Sequence, residues 1–170
     1  MEPTGPRSRR DPIELAIESW TAQGWADATP GMAMVTSVMR VQQLLLQQVE
    51  RVRRPMGLTF ARYEVLMLLS FSRTGALPVG KIGERLQVHP ASVTNAVDRL
   101  EDDGLVRRSA NPQDGRSVLA CITERGRHLA ADASDELNRD VFTKVPLPVA
   151  DLDDLFSILR DLRRAFGDFT

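Results

Sequence analysis

A short stretch in the middle of the chain combines small hydrogen-bonding side chains with a guanidinium group. If residues 90–103 form a helix, its apolar residues share one face and pack inward. The outer side then carries Gln87, Ser92, Thr94, Asn95, Asp98 and Arg99. The Asn95 carboxamide can bond an adenine edge twice, and Arg99 can bond guanine or a phosphate. Free N–H groups at residues 90–93 would favour a nearby phosphate.

A second group of basic residues lies in and before the sequence NPQDGR. Its proline and the pair Asp114-Gly115 favour a tight turn between two short β-strands. This turn places Arg116 at a hairpin tip, where it could enter the narrower minor groove of DNA. Asp114 is expected to orient that guanidinium and to stiffen the loop. Arg107 and Arg108 can flank it along the DNA backbone.

The elements that must position these residues are predicted from apolar spacing and from start and stop signals. Asp11-Pro12 and Thr29-Pro30 each predict a helix start, and the second helix runs to about residue 54. Further helices are predicted at 60–72 (capped by Thr59), 79–86, 90–103, 124–142 and after Pro148, and strands at 105–109 and 118–123. In the turn 87–89, Val88 is expected to point inward and His89 to begin the next helix beside DNA.

Composition and charge limit the function classes. The chain has 170 residues, of which 42% are hydrophobic and 26% charged, as in an ordinary globular domain. Its net charge of −1 gives no general attraction to nucleic acid. Residues 78–123 are also neutral, with six basic residues (Lys81, Arg85, Arg99, Arg107, Arg108, Arg116) and six acidic ones (Glu84, Asp98, Glu101, Asp102, Asp103, Asp114). A DNA-binding role must therefore rest on local placement.

Other features predict a cytoplasmic protein without a cofactor. The single Cys121 suits a reducing compartment, and its apolar neighbours favour packing over a peroxide-sensing role. The longest apolar run is too short to span a bilayer, and no secretory signal is expected at the start. His89 and His128 lack clustered partners for a metal site. No phosphate-binding loop or nucleophile motif predicts an enzyme.

Residues 89–126, HPASVTNAVDRLEDDGLVRRSANPQDGRSVLACITERG, resemble the recognition helix and wing of the MarR family of bacterial transcriptional regulators. The DRLE and GLV blocks, the DGR wing and the IT-E-x-G helix entry carry the resemblance, which extends more weakly over residues 31–166. It implies a homodimeric regulator, most often a repressor, that binds a pseudo-palindromic DNA operator and responds to a small ligand. The residues expected to contact DNA are His89, Ser92, Thr94, Asn95, Arg99, Arg107 and Arg116.

The predicted fold is mainly α, with a winged helix-turn-helix DNA-binding lobe and N- and C-terminal helices that form a dimerisation region. We expect a flexible basic segment at 1–11 and a single MarR-like domain at 12–170. Within it, 12–56 and 124–168 supply dimerisation helices and 58–123 the DNA-binding lobe. The last helix supports a dimer independently, because a lobe this small cannot cover its apolar stripe: Leu152, Leu155, Phe156, Leu159, Leu162 and Phe166.

The N-terminal helix, with Trp20 and Trp25, permits two interpretations. An added N-terminal helix resembles a urate-responsive subgroup, in which Trp20, Glu64 and Arg108 would fill three ligand-binding roles. Ala96 stands where that subgroup has a second arginine, so an apolar, anionic effector is expected instead of urate. Its pocket would be lined by Trp20, Met34, Val38, Arg62, Tyr63 and Met67. In the other interpretation, the two tryptophans have only a structural role and pack this helix against the dimer core.

Two alternatives remain open from the sequence. The winged helix could bind another protein instead of DNA. The arginines near the start (Arg7, Arg9 and Arg10) fit either an arm that reaches DNA or a solubilising tail. Those near the end (Arg160, Arg163 and Arg164) are expected to form a solvated face that complements a helix C-terminus.

Overall fold

The computed structural model describes residues 10–169, which fall into two compact units, one ending at Phe60 and one beginning at Ala61. The described chain is mainly helical, with one small sheet. The helices are α1 (Pro12–Ala22), α2 (Thr29–Arg53), α3 (Phe60–Phe71), α4 (Val79–Leu86), α5 (Pro90–Asp102), α6 (Glu124–Asp140) and α7 (Val149–Ala165). The strands are β1 (Ala76–Pro78), β2 (Val106–Ala110) and β3 (Val118–Ile122). No helix in residues 10–169 is both long and apolar enough to cross a membrane.

The N-terminal unit begins with a capped helix, as predicted. The Asp11 carboxylate accepts a hydrogen bond from the Ile13 amide at 2.8 Å, and α1 then packs on α2. The helix α2 begins at Thr29, as the Thr29-Pro30 pair predicts, but Thr29 is not its cap, because a 3₁₀ turn (Ala26–Ala28) precedes it and Ala28 is the N-cap residue. The Thr29 hydroxyl instead donates to the Trp25 carbonyl at 3.1 Å.

The end of α2 is held by a buried arginine that the sequence analysis missed. The Arg53 guanidinium is fully buried and donates to the Leu58 carbonyl and to the Glu50 carboxylate, each at 2.7 Å. It also lies 5.4 Å from the centre of the Phe60 ring. Gly57 takes the left-handed conformation that reverses the chain here. A basic side chain therefore closes the turn that ends this unit.

The C-terminal unit has a three-stranded antiparallel sheet in the order β1-β3-β2. The hairpin of β2 and β3 was predicted within a residue at each end, whereas β1 was missed. β1 has only three residues, too few to show alternation, and it forms by pairing with β3, where Ala76 lies opposite Cys121. The core is made by side chains from α3, α4, α5, the sheet and α6: Val65, Leu66, Leu69, Ile82, Val93, Val97, Leu100, Ala120, Ala130, Ala133 and Leu137.

The turn between α4 and α5 differs from its prediction. Val88 is 39% exposed, so it does not plug the turn. Gln87 adopts a left-handed conformation with φ of 54°, and the turn is tight enough that a Cβ on Gly83 would lie 3.4 Å from the Val88 carbonyl. Ile82 and Val93 are the buried apolar side chains on either side of this turn, and Val88 is not among them.

The last two helices were predicted well, except for one boundary. The Thr123 hydroxyl caps α6 by accepting from the Gly126 amide at 3.0 Å. The helix ends at Asp140 instead of about residue 142, because Val141 leaves helical geometry and a 3₁₀ turn (Phe142–Lys144) follows. No residue of α7 is buried, and Phe156 is 59% exposed. The apolar stripe predicted on this helix is therefore only partly covered by the chain itself: Leu155, Phe156 and Phe166 are exposed, and Leu152, Leu159 and Leu162 are half-buried.

Candidate nucleic-acid interface

The outer face of α5 carries the side chains that the sequence analysis placed there. Its polar residues are all exposed: Ser92, Thr94, Asn95, Asp98 and Arg99. The intervening apolar residues, by contrast, are buried against the rest of the unit: Val93, Ala96, Val97 and Leu100. This division follows from helical spacing and leaves a face of small side chains that can approach a base edge.

The start of α5 corrects one expectation. The N–H groups of residues 90–93 are not free for a phosphate, because His89 uses them. Its ring Nδ1 accepts from the Ala91 amide at 3.2 Å, and its carbonyl accepts from Ser92 at 2.9 Å and Val93 at 3.3 Å. Pro90 has no N–H. His89 is thus the helix cap, and in its neutral form the proton lies on Nε2, which can donate to a ligand.

The hairpin loop, or wing (residues 111–117), is stiffened by its own side chains. Asp114 accepts from the backbone amide of Arg116 at 3.0 Å, whereas the prediction had it orient the guanidinium. Asn111 accepts from the Gln113 amide at 3.0 Å and donates to the Ser117 hydroxyl at 2.7 Å. A turn of this type favours a side-chain bond to the backbone. The exposed Arg116 therefore projects from an ordered loop.

Arg108 links β2 to the helix α5. Its guanidinium contacts Asp98 and Glu101, each at 2.5 Å, and its backbone amide donates to Glu101 at 2.8 Å. The backbone hydrogen bond, followed by the side-chain bond, lowers the pKa of Glu101 below its ordinary range. The hydrogen bond with Glu101 raises the pKa of Arg108. The half-buried Arg108 guanidinium is thus held by two carboxylates and is not free to flank the wing as expected.

Ion pairs determine which charged side chains of the neutral segment 78–123 remain available to a ligand. Four of the six acidic side chains of residues 78–123 pair with a basic one, since Lys81 binds Glu84 at 2.7 Å and Arg62 binds Asp103 at 2.7 Å in addition to the two bound by Arg108. Within residues 10–169, four exposed arginines of this segment have no ion pair: Arg85, Arg99, Arg107 and Arg116. Two exposed carboxylates of the segment, Asp102 and Asp114, also have no ion pair within residues 10–169. The lobe is therefore neutral in sum, while its unpaired side chains carry more positive than negative charge.

A cavity of about 410 Å³ lies in the C-terminal unit. It brings together three of the predicted effector residues, Tyr63, Glu64 and Met67. The other lining residues are Leu68, Phe71, Leu86, Ser134 and Asn138. The Tyr63 hydroxyl lies 3.1 Å from that of Ser134, which orients it at the wall. The cavity is mainly apolar with hydroxyl, amide and carboxyl groups at its edge, as small-molecule sites commonly are.

The remaining predicted effector residues do not line this cavity. Arg62 and Arg108 are bound by carboxylates, as described above. Trp20, Met34 and Val38 belong to the N-terminal unit. There Trp20 packs edge-to-face on Trp25, with ring centres 5.4 Å apart. This contact agrees with a packing role for the tryptophan pair.

Other candidate groups have local structural partners. Cys121 is buried, with Sγ 3.4 Å from the Ser109 hydroxyl, as the packing interpretation predicts. Arg10 contacts Glu18, whereas Arg7 and Arg9 lie outside the described residues. Arg163 and Arg164 are exposed in the last turn of α7, as expected, and each lies 5.3 Å from the Phe169 ring. Arg160, by contrast, is half-buried. Residues 10–169 contain no cluster of metal-binding side chains.

Comparison with known proteins identifies the family. The MarR family profile matches residues 58–118, which hold the helix-turn-helix, the strand β2 and the wing. The crystal structure of Sco5413, a MarR family transcriptional regulator from Streptomyces coelicolor, shares 51% sequence identity with a TM-score of 0.75. The match covers 82% of this chain and 97% of that one. The chain belongs to the MarR family. Its fold is therefore the predicted winged helix, in a family of transcriptional regulators.

Two further relatives place the MarR lobe among DNA-binding proteins. Sco3205, a MarR family regulator from Streptomyces coelicolor, was solved in complex with DNA. It is 25% identical with a TM-score of 0.68, over 78% of this chain and 84% of that one. The transcriptional repressor MdtR of Bacillus subtilis is 33% identical over 87 residues, or 51% of this chain. That match spans 52% of MdtR, so this MarR chain corresponds to about half the length of that curated relative.

Proposed function

We propose that this MarR family chain is a sequence-specific DNA-binding transcriptional repressor that binds a pseudo-palindromic operator as a homodimer. The observation that carries the proposal is the outer face of α5, with exposed Asn95 and Arg99 beside the unpaired arginines of the lobe. Base edges would be read by Ser92, Thr94, Asn95 and Arg99, and phosphates or the minor groove by His89, Arg107 and Arg116. A regulator of this kind works in the cytoplasm and needs no catalytic activity.

The homodimer rests on apolar surface that the single chain leaves exposed. On α7, Phe156 and Ile158 are both exposed, and α2 carries exposed Val35, Met39 and Leu45. We assign the helices at 12–56 and 124–168 to dimerisation and residues 58–123 to DNA binding. A two-fold dimer would place its two α5 helices roughly 34–36 Å apart, which matches successive turns of one DNA face.

A direct binding experiment tests the DNA-binding function. Fluorescence anisotropy with duplex DNA from upstream of the protein's own gene should give saturable binding that an unrelated duplex does not compete away. The logarithm of the binding constant should fall as the logarithm of salt concentration rises, because unpaired arginines displace counterions from phosphates. A slope near zero would rule out phosphate contacts. Specific capture of a protein, without any DNA binding, would favour the alternative of a protein-interaction module.

We also propose that the cavity beside Tyr63 and Met67 accepts a small effector. Its apolar lining and the neighbouring hydroxyl groups suit an aromatic acid better than a highly charged ligand. Thermal-shift measurements with aromatic acids, urate and acyl thioesters should find at least one stabilising ligand. Met67→Ala should reduce that stabilisation, whereas Val118→Ala, at an exposed position of β3 outside the cavity, should leave it unchanged. No stabilisation by any of the three classes would contradict the effector site.

A further inference from the structure

Thr94 differs from the other polar residues on the outer face of α5. Its hydroxyl donates to the backbone carbonyl of Pro90, four residues earlier, at 3.1 Å. Threonine in a helix can adopt this rotamer because Oγ1 reaches the carbonyl of the preceding turn. By contrast, the Ser92 hydroxyl and the Asn95 carboxamide form no hydrogen bond with any other group in residues 10–169. The only hydrogen that Thr94 could donate to DNA is therefore used inside its own helix.

This bond determines what Thr94 presents outward. A hydroxyl whose hydrogen is engaged can still accept, but it cannot donate to a purine N7 or a carbonyl oxygen. The other branch on Cβ is a methyl group, and the residue is exposed. In the major groove, the 5-methyl group of thymine is the apolar feature that a threonine methyl contacts.

We propose that Thr94 determines operator specificity by recognising thymine through methyl–methyl contact and not through its hydroxyl. The inference rests on the proposed function, in which α5 enters the major groove. The surroundings of Thr94 support it. Asp98, one turn further along α5, is bound by Arg108 at 2.5 Å, so its carboxylate is held toward β2. Asn95, the next residue, keeps a free carboxamide suited to an adenine next to that thymine.

The experiment uses the full-length protein and a duplex selected by it from a random library. Each thymine of the selected site is replaced in turn by deoxyuridine, which removes only the 5-methyl group. Binding is measured for wild type, Thr94→Val and Thr94→Ser. At one symmetry-related thymine pair, wild type should lose affinity by about threefold to fivefold per methyl, the value of one buried methyl. Thr94→Val should show the same loss, whereas Thr94→Ser should bind both duplexes equally.

The control is Arg116→Ala, which should weaken both duplexes by the same factor because the wing is not involved in methyl contact. If Thr94→Ser keeps the preference for thymine while Thr94→Val loses it, the hydroxyl reads the base and the inference is wrong. Equal discrimination by wild type and both Thr94 variants would also overturn it, although the proposed function would stand. Failure of the wild-type protein to select any sequence would instead contradict the proposed function, and this inference with it.

Discussion

The helices α5 and α7 have similar apolar spacing but very different surroundings. In α5, Val97 and Leu100 are fully buried by the sheet and the neighbouring helices of the same unit. In α7, no residue is buried, and Phe156 and Ile158 stay mostly exposed. Both helices are amphipathic, yet only α5 has its apolar face fully buried by its own chain, whereas that of α7 is at most half-buried.

This difference in burial indicates that the two helices have different roles in the same fold. The apolar face of α5 contributes to the stability of the single chain, which leaves its polar face free for a ligand. The exposed part of the apolar face of α7 is removed from water only when a second molecule covers it. The free energy of burying it therefore favours association. Substitutions on the inner face of α5 should therefore affect unfolding, and substitutions on α7 should affect the oligomeric state.

The largest effect is expected from Leu100→Ala. This substitution leaves a cavity beneath the recognition helix and should lower the free energy of unfolding by about 2–5 kcal/mol. Urea denaturation followed by circular dichroism measures it. Arg99→Ala, at an exposed neighbouring position, is the matched control and should change stability by no more than about 0.5 kcal/mol. Equal effects of the two variants would contradict the division of α5 into an inner and an outer face.

Phe156→Ala should weaken the dimer without unfolding the chain. Each protomer loses a side chain whose burial contributes about 1.5–3 kcal/mol, so dissociation should occur at clearly higher protein concentration. Sedimentation velocity over a dilution series gives the dissociation constant. Asp154→Ala, on the same helix, should leave that constant nearly unchanged. A Phe156→Ala protein that dimerises as tightly as wild type would show that α7 is not at the interface.

Asn95→Ala should reduce DNA affinity at particular base pairs. Loss of a bidentate contact is expected to weaken the free energy of DNA binding by about 1–3 kcal/mol on the cognate operator. The loss should be much smaller on a duplex in which the contacted base pair has already been replaced. Arg116→Ala should instead weaken all sequences modestly. Binding titrations against a set of single-base operator variants distinguish the two patterns. If both variants changed the set in the same way, the separation of base reading from backbone contact would be wrong.

The smallest effect is expected on the pH dependence of stability, through the Arg108–Glu101 ion pair that links β2 to α5. Because Arg108 lowers the pKa of Glu101 in the folded state, this pair stabilises the fold above the ordinary glutamate pKa of about 4.3. The contribution is lost as the pH falls through the lower, folded value. Glu101→Gln should therefore flatten the acid side of a plot of urea midpoint against pH. Asp102→Asn, at an exposed carboxylate of α5 that has no ion pair within residues 10–169, is the matched control and should leave the acid side as in wild type.

Local signals in the sequence were enough for most elements. Asp11 caps the helix whose start it predicted, and Gly104 has the left-handed conformation that ends α5. These features depend on a few neighbouring residues. Val88 was placed wrongly because the left-handed backbone of Gln87 has no sequence signal in a residue other than glycine or asparagine. The strand β1 was missed because its pairing partner lies more than forty residues away.

The exposed face of α5 could be predicted because helical periodicity alone assigns Asn95 and Arg99 to one side. The charge of the lobe could not be predicted in this way, since its count of basic and acidic residues is balanced. That Arg108 would bind Asp98 and Glu101, and thereby leave other arginines unpaired, depends on the packing of β2 against α5. Periodicity is a property of adjacent turns, and charge pairing depends on distances that arise only when separate elements pack. The sequence therefore determined which residues face outward, and the tertiary structure decided which of them remain free to bind.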